Sequence, residues 1–195
     1  MKLAIGFLVL IFSYSAYARC PVAPINQPNE DAKKLRVNQL SEFMVCLPSD
    51  PANDRSPCNT FASQGLNKIW GYNDFGTDEK SFLTANQIWD KVNSAGGKWL
   101  TLGALSDVDN NLCAQSLANS GRAVLAVMKG TDGGHGHIAL VIPGEPRIST
   151  TWGILAANSA SFFLNKPTKA YISQPLSFAF SKTDASEARF FYRDR

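Results

Sequence analysis

Helix-like periodicity fills the first part of this chain and strand-like runs fill the rest, and that change of texture constrains the fold most. Leu35, Leu40, Phe43, Met44 and Leu47 fall on roughly one face of a helix predicted over Asp31–Leu47, which Pro48 ends. Phe61, Ala62, Leu66, Ile69 and Trp70 predict a helix over Cys58–Trp70 that stops at Gly71. Shorter helices are predicted over Thr84–Asn93 and Asn111–Asn119, the last closed by Ser120-Gly121. After Gly121 the pattern changes. Ala123–Met128 and His137–Ile142 are apolar, partly β-branched runs bounded by glycine and proline, and Ile148–Trp152 and Arg189–Arg193 read as further strands. Helices first and strands later predict an α+β domain in which helices pack on a mainly antiparallel sheet.

A length of 195 residues holds one domain with a full core and is short for two. With 45% apolar and 18% charged residues the chain is globular rather than disordered. Its formal charge of +3 falls far short of the Lys/Arg stripe that nucleic acid demands, so no nucleic-acid partner is expected. The amino terminus sets the compartment. Met1-Lys2, an apolar run over Leu3–Tyr14 and Ser15-Ala16-Tyr17-Ala18 have the layout of a cleaved secretory signal over residues 1–18. The apolar run is too short for a permanent span, so no stable membrane insertion is expected after cleavage. Arg19 stands before Cys20 where a lipoprotein signal would carry a small residue. A secreted or periplasmic product is expected. Residues 19–57 then read as a proline-rich arm, a helix and a loop, and 58–195 as the core.

The chemistry rests on four cysteines and two histidines. Cys58 opens a predicted amphipathic helix, where the exposed N–H groups and the macrodipole favour thiolate, the nucleophilic form. It could equally be half of a disulfide, for example with Cys46. His135 and His137 both lie in Gly130–Ile142; His137 opens a strand and so has a fixed direction, which makes it the preferred base over the loop residue His135. A His-x-His zinc site lacks a second ligand cluster, and a surface histidine pair is the plainer reading. Asp107, Asp109, Asn110 and Asn111 have neither the glycine nor the closing glutamate of a calcium loop. Trp70, Trp89 and Trp99, read in helical surroundings, are assigned to the core.

The order of these pieces resembles a known family. Cys58-Asn59-Thr60-Phe61 with its helix, Ala118-Asn119 and Ala123–Gly130, then Gly136–Ile142 and Trp152-Gly153, with an echo in Phe190-Phe191-Tyr192, are similar to the papain-like NlpC-type cell-wall peptidases. The layout is closest to the type VI secretion amidase effectors. The resemblance covers about Cys58 to Gly153. It implies a papain-like fold and a cysteine amidase or endopeptidase acting on peptidoglycan stem peptides, with Cys58 as nucleophile, His137 as base and no cofactor. For the third member the chain departs from the pattern; among Ser149, Thr150, Thr151 and Asn158, the amide of Asn158 is favoured to accept from the imidazole Nδ1–H. The secretion signal is a second departure, since injected effectors lack one. An antibacterial role would imply an immunity or inhibitor protein. The alternatives are a non-catalytic secreted binding protein with disulfides, and a cysteine protease or transglutaminase-like toxin acting on protein. With Cys58 kept reduced, the expected bridge is Cys20–Cys46, leaving Cys113 a buried thiol.

Overall fold

Alternating side chains along two central strands divide the interior into two halves. In the computed structural model, which describes residues 20–44, 60–78, 81–131 and 134–194, β2 (Val124–Met128) and β3 (His137–Val141) pair antiparallel. Leu125, Val127, Ile138 and Leu140 face one way; Val124, Ala126, Ala139 and Val141 face the other. Both sets are buried, which is why the two strands read as continuous apolar runs rather than as alternation. Around them lie β1 (Trp99–Ala104), β4 (Arg147–Ser149), β5 (Ile154–Ala156), β6 (Asn158–Ser161), β7 (Tyr171–Pro175) and β8 (Arg189–Arg193). Six of these strands form one sheet in the order β1-β8-β2-β3-β6-β7, antiparallel at every pairing, while β4 and β5 form a separate hairpin. The α+β class and the mainly antiparallel sheet expected from the sequence are what the chain forms.

Helices cover both faces. On the Leu125/Leu140 face lie α2 (Phe61–Trp70) and α3 (Ala85–Val92), whose Leu66 and Ile88 are fully buried. Gly71 ends α2 in the left-handed region at φ 70°, and a capping box between Thr84 and Gln87 starts α3. The opposite face is covered by α4 (Val108–Asn119), with Ala114 and Leu117 buried, and by the short α5 (Asp184–Glu187). The oxygen-rich start of α4 is a helix cap: the Asp107 carboxylate accepts from the backbone N–H of Asp109 at 2.8 Å and of Asn110 at 3.4 Å.

The amino-terminal arm belongs to this α4 layer. Asn29 caps α1 (Glu30–Lys34) and its N–H donates to the Asn119 carbonyl at 2.9 Å, while the Ile25 N–H donates to Ser116 Oγ at 3.1 Å. Cys20 is disulfide-bonded to Cys113 of α4, which corrects both the expected Cys20–Cys46 bridge and the reading of Cys113 as a free buried thiol. The physical reason is position: the arm runs along α4, so its first cysteine meets that helix. The bridge spans a sequence separation of 93 residues. Replacing Cys20 and Cys113 together by Ser should cost about 4–5 kcal/mol on loop-entropy grounds. A urea midpoint unchanged from that of the unreduced wild type would contradict the pairing.

Several elements differ from the sequence reading. The first helix breaks at the extended Leu35 and resumes as a 3-10 helix over Val37–Phe43, a turn that leaves Leu40 fully buried against the α2 layer. Trp99 is the first residue of a strand rather than a helical residue; it is buried, and its Nε1–H donates to the Asp74 carboxylate at 3.2 Å. Trp70 and Trp89 pack partly buried against the same core. The expected strand over Ile148–Trp152 is the first half of the β4–β5 hairpin plus its turn. β6 carries no apolar signal because Asn158, Ser159, Ala160 and Ser161 are small or polar, yet all four are buried.

Candidate functional site

His137 begins β3 at the end of the loop Gly130–Gly136, and the loop's shape depends on glycine. A Cβ on Gly136 would sit 2.3 Å from Asn86 Oδ1 and 2.6 Å from the Met128 carbonyl oxygen. Asn86 of α3 closes the loop, accepting from the Gly130 N–H at 2.9 Å and donating to the Gly134 carbonyl at 3.0 Å. Asn86 thereby ties Gly130 and Gly134 together just before the strand's first side chain. His135, inside the loop, is exposed, whereas His137 is half-buried.

The His137 imidazole lies in an aromatic box. Phe163 stacks on it with centroids 4.9 Å apart, and Phe180 meets it edge-on at 5.0 Å. Ser161 Oγ lies 3.1 Å from Nε2 and 3.3 Å from the Ile138 carbonyl oxygen. A serine hydroxyl has one proton. Donated to the Ile138 carbonyl, it leaves the oxygen to accept from Nε2–H, so the neutral ring carries its lone pair on Nδ1. That nitrogen has no hydrogen-bond partner among the described residues. Burial pushes the His137 pKa down to about 4 from 6.5, with the Asp184 carboxylate pulling less strongly upward.

The titration carries a stability consequence. The folded pKa lies below the unfolded value, so the unfolded chain binds the proton more readily. The stabilisation is complete above pH 6.5 and is lost as pH falls toward 4. NMR of ring nitrogens in folded Cys58→Ala protein, which has no thiolate to raise the ring's pKa, should find His137 as the neutral Nε2–H tautomer down to about pH 4, and adding Ser161→Ala should scramble that tautomer. A His137 titrating near 6.5, or an Nδ1–H tautomer, would contradict this arrangement.

The site residues expected from sequence are distributed unevenly. Cys58 and Cys46 lie outside the described residues. What is described is the helix that follows Cys58: its first residue, Phe61, packs on Phe162 with centroids 6.4 Å apart, and Phe162 directly follows Ser161. The start of α2 and the imidazole therefore occupy the same end of the sheet. They approach from different faces, since His137 continues the Ala139/Val141 row and α2 packs on the Leu140 side.

Asn158, expected to orient His137, sits elsewhere. It lies beside the far end of β3, where the N–H of Ile142, the next residue, donates to the Asn158 carbonyl at 3.0 Å. The side-chain Oδ1 accepts from Arg147 at 3.2 Å and from Ser173 Oγ at 3.1 Å, and Nδ2 donates to the Pro143 carbonyl at 3.1 Å. Its amide is thus committed to Arg147 of β4, Ser173 of β7 and the turn after β3. It supports Ser173, whose φ of 67° lies in the left-handed region. Ser161 is the residue that meets the imidazole, and Ser149, Thr150 and Thr151 line a separate surface depression with Phe178.

A second polar system went unread in the sequence. Asn111, Gln115 and Asn119 recur every four residues along α4 and are buried. Gln115 accepts from the Asn158 N–H at 2.7 Å and donates to the Ile142 carbonyl at 3.1 Å. Asn119 accepts from the Gly144 N–H at 2.8 Å and donates to the Ile25 carbonyl at 2.9 Å. These amides satisfy backbone groups that leave the sheet, and their role is to fix the β3–β4 and arm connections. Spacing of four in a predicted helix was the available signal.

Among the described residues no group of three or more His, Cys, Asp or Glu side chains is placed to hold a metal ion, and no helix is long and apolar enough to cross a membrane. The chain matches no family model, and no curated protein matches it.

Proposed function

We propose that this protein is an exported cysteine amidase or endopeptidase of papain-like, NlpC type that cleaves amide bonds in peptidoglycan stem peptides. The observation that carries the reading is the convergence, at one end of the sheet, of the helix that follows Cys58 and an imidazole whose Nδ1 has no partner among the described residues. Cys58 precedes Phe61 by three residues, a stretch that spans up to roughly 10 Å when extended. The disulfide between Cys20 and Cys113 supports an oxidising compartment.

In this reading the Cys58 thiol gives its proton to His137 Nδ1 as sulfur bonds to the amide carbonyl carbon. A thiolate beside the ring raises the imidazole's affinity for that proton. Backbone N–H groups at the start of α2 stabilise the oxyanion. The C–N bond breaks, and His137 delivers the proton to the leaving amine. Water then attacks the thioester, losing a proton to His137, which returns it to sulfur. Ser161 holds Nε2–H throughout and keeps the lone pair on Nδ1.

The second reading is a non-catalytic binding protein, and the observation that favours it is the pairing of Cys20 with Cys113. That pairing leaves Cys46 and Cys58 as potential partners for each other. Incubating the exported protein with purified sacculi separates the two. The hydrolase releases fragments whose masses show added water at a stem-peptide amide; a binding protein co-sediments and releases none.

A further inference from the structure

An unbroken aromatic series leads away from His137. Phe163 stacks on the imidazole, Tyr171 follows 6.3 Å from Phe163, and Phe178 lies 6.1 Å from Tyr171, centroid to centroid. Phe178 is 63% exposed, so the series ends on a ring open to solvent. These rings form one wall of a groove of about 540 Å³ that Lys166, Lys169 and Gln174 complete. That volume is in the range of sites for small molecules and short peptides.

The groove's charge is one-sided. No acidic side chain lines it, and neither Lys166 nor Lys169 is ion-paired with an acid among the described residues. Both lysines are exposed, on the 3-10 turn between β6 and β7. Two unpaired ammonium groups above an aromatic floor suit a ligand that is anionic at one point and apolar or amide-like along its length.

We propose that this groove binds the substrate peptide beside the catalytic histidine, with Lys166 and Lys169 holding its carboxylates and Phe178 packing on its backbone or methyl groups. The proposal rests on the hydrolase reading for the identity of the peptide, a peptidoglycan stem, and it assigns the specificity: carboxylate-bearing stems over amidated ones. Tyr171 is fixed within the wall by its hydroxyl, 2.9 Å from Ser159 Oγ, so the floor is preformed.

The test measures binding without turnover. Exported Cys58→Ala protein is titrated calorimetrically with a free stem tetrapeptide and with the same peptide amidated at its carboxylates. The acidic peptide should bind roughly tenfold more tightly, and raising the salt should erode that preference. Lys166→Met with Lys169→Met should abolish the preference, with the far-ultraviolet spectrum and the Cys20–Cys113 bridge unchanged. Phe178→Ala should weaken both peptides alike. Equal affinity for the two peptides, absence of binding by either, or a preference that survives the double lysine change would each overturn the proposal. Sacculus assays on the wild type keep the two claims apart. A protein inert on sacculi that still prefers the acidic peptide supports the groove and removes the hydrolase reading. An active hydrolase indifferent to the lysines does the opposite.

Discussion

Cys58→Ala is expected to eliminate release of stem-peptide fragments from sacculi, by at least about a thousandfold, while the protein still folds. The magnitude follows from the chemistry. Alanine cannot form the thioester, and what remains is the small contribution of oxyanion stabilisation and substrate positioning. The fold should survive because the described residues supply a large core: Leu40, Leu66, Leu125 and Leu140 are buried in one layer, and Leu117, Val124 and Val141 in the other. Circular dichroism and a urea midpoint close to wild type would establish that loss of turnover is a loss of chemistry. Wild-type turnover in Cys58→Ala would remove the nucleophile from the account.

His137→Ala should reduce turnover by at least about a hundredfold, the lower range for a general acid–base group. His135→Ala should change it by less than about threefold. The contrast comes from their settings. His137 is clamped between Phe163 and Phe180 with Nε2 on Ser161, whereas His135 is exposed in a glycine-rich loop, its ring without a hydrogen bond among the described residues. Ser161→Ala keeps the ring's aromatic neighbours but removes the group that fixes the tautomer. Its effect on rate should therefore be smaller than that of His137→Ala. A larger loss in His135→Ala than in His137→Ala would move the base into the loop.

The layer pattern was legible in the sequence wherever hydrophobic periodicity was unambiguous. α2, α3, β2, β3 and β8 are where the apolar residues indicated, with ends shifted by a few residues. The strands that escaped notice lack that signal for physical reasons. β6 is built of small buried residues, and β7 is an edge strand interrupted by the left-handed Ser173. β1 carries a register shift near Gly103 that breaks its alternation.

The site was legible only in part. His137 could be singled out because a strand start fixes a side chain's direction. Its partner could not, because Ser161 comes from a strand without an apolar pattern, and the in-register pairing of Ser161 with Ala139 is a tertiary fact. Asn158 was attractive as an amide near the histidine in sequence; three residues along an extended strand place it at the wrong end. The disulfide shows the same limit. Cysteine spacing permits any pairing, and only the path of the arm along α4 selects Cys113.

With Cys20 and Cys113 joined, the state of Cys58 decides between enzyme and binding protein. The most direct measurement is a peptide map of the exported, unreduced protein after alkylation. The expected map shows the Cys20–Cys113 bridge together with an alkylated Cys58. A Cys46–Cys58 bridge in the exported protein, with no alkylated Cys58, would contradict it.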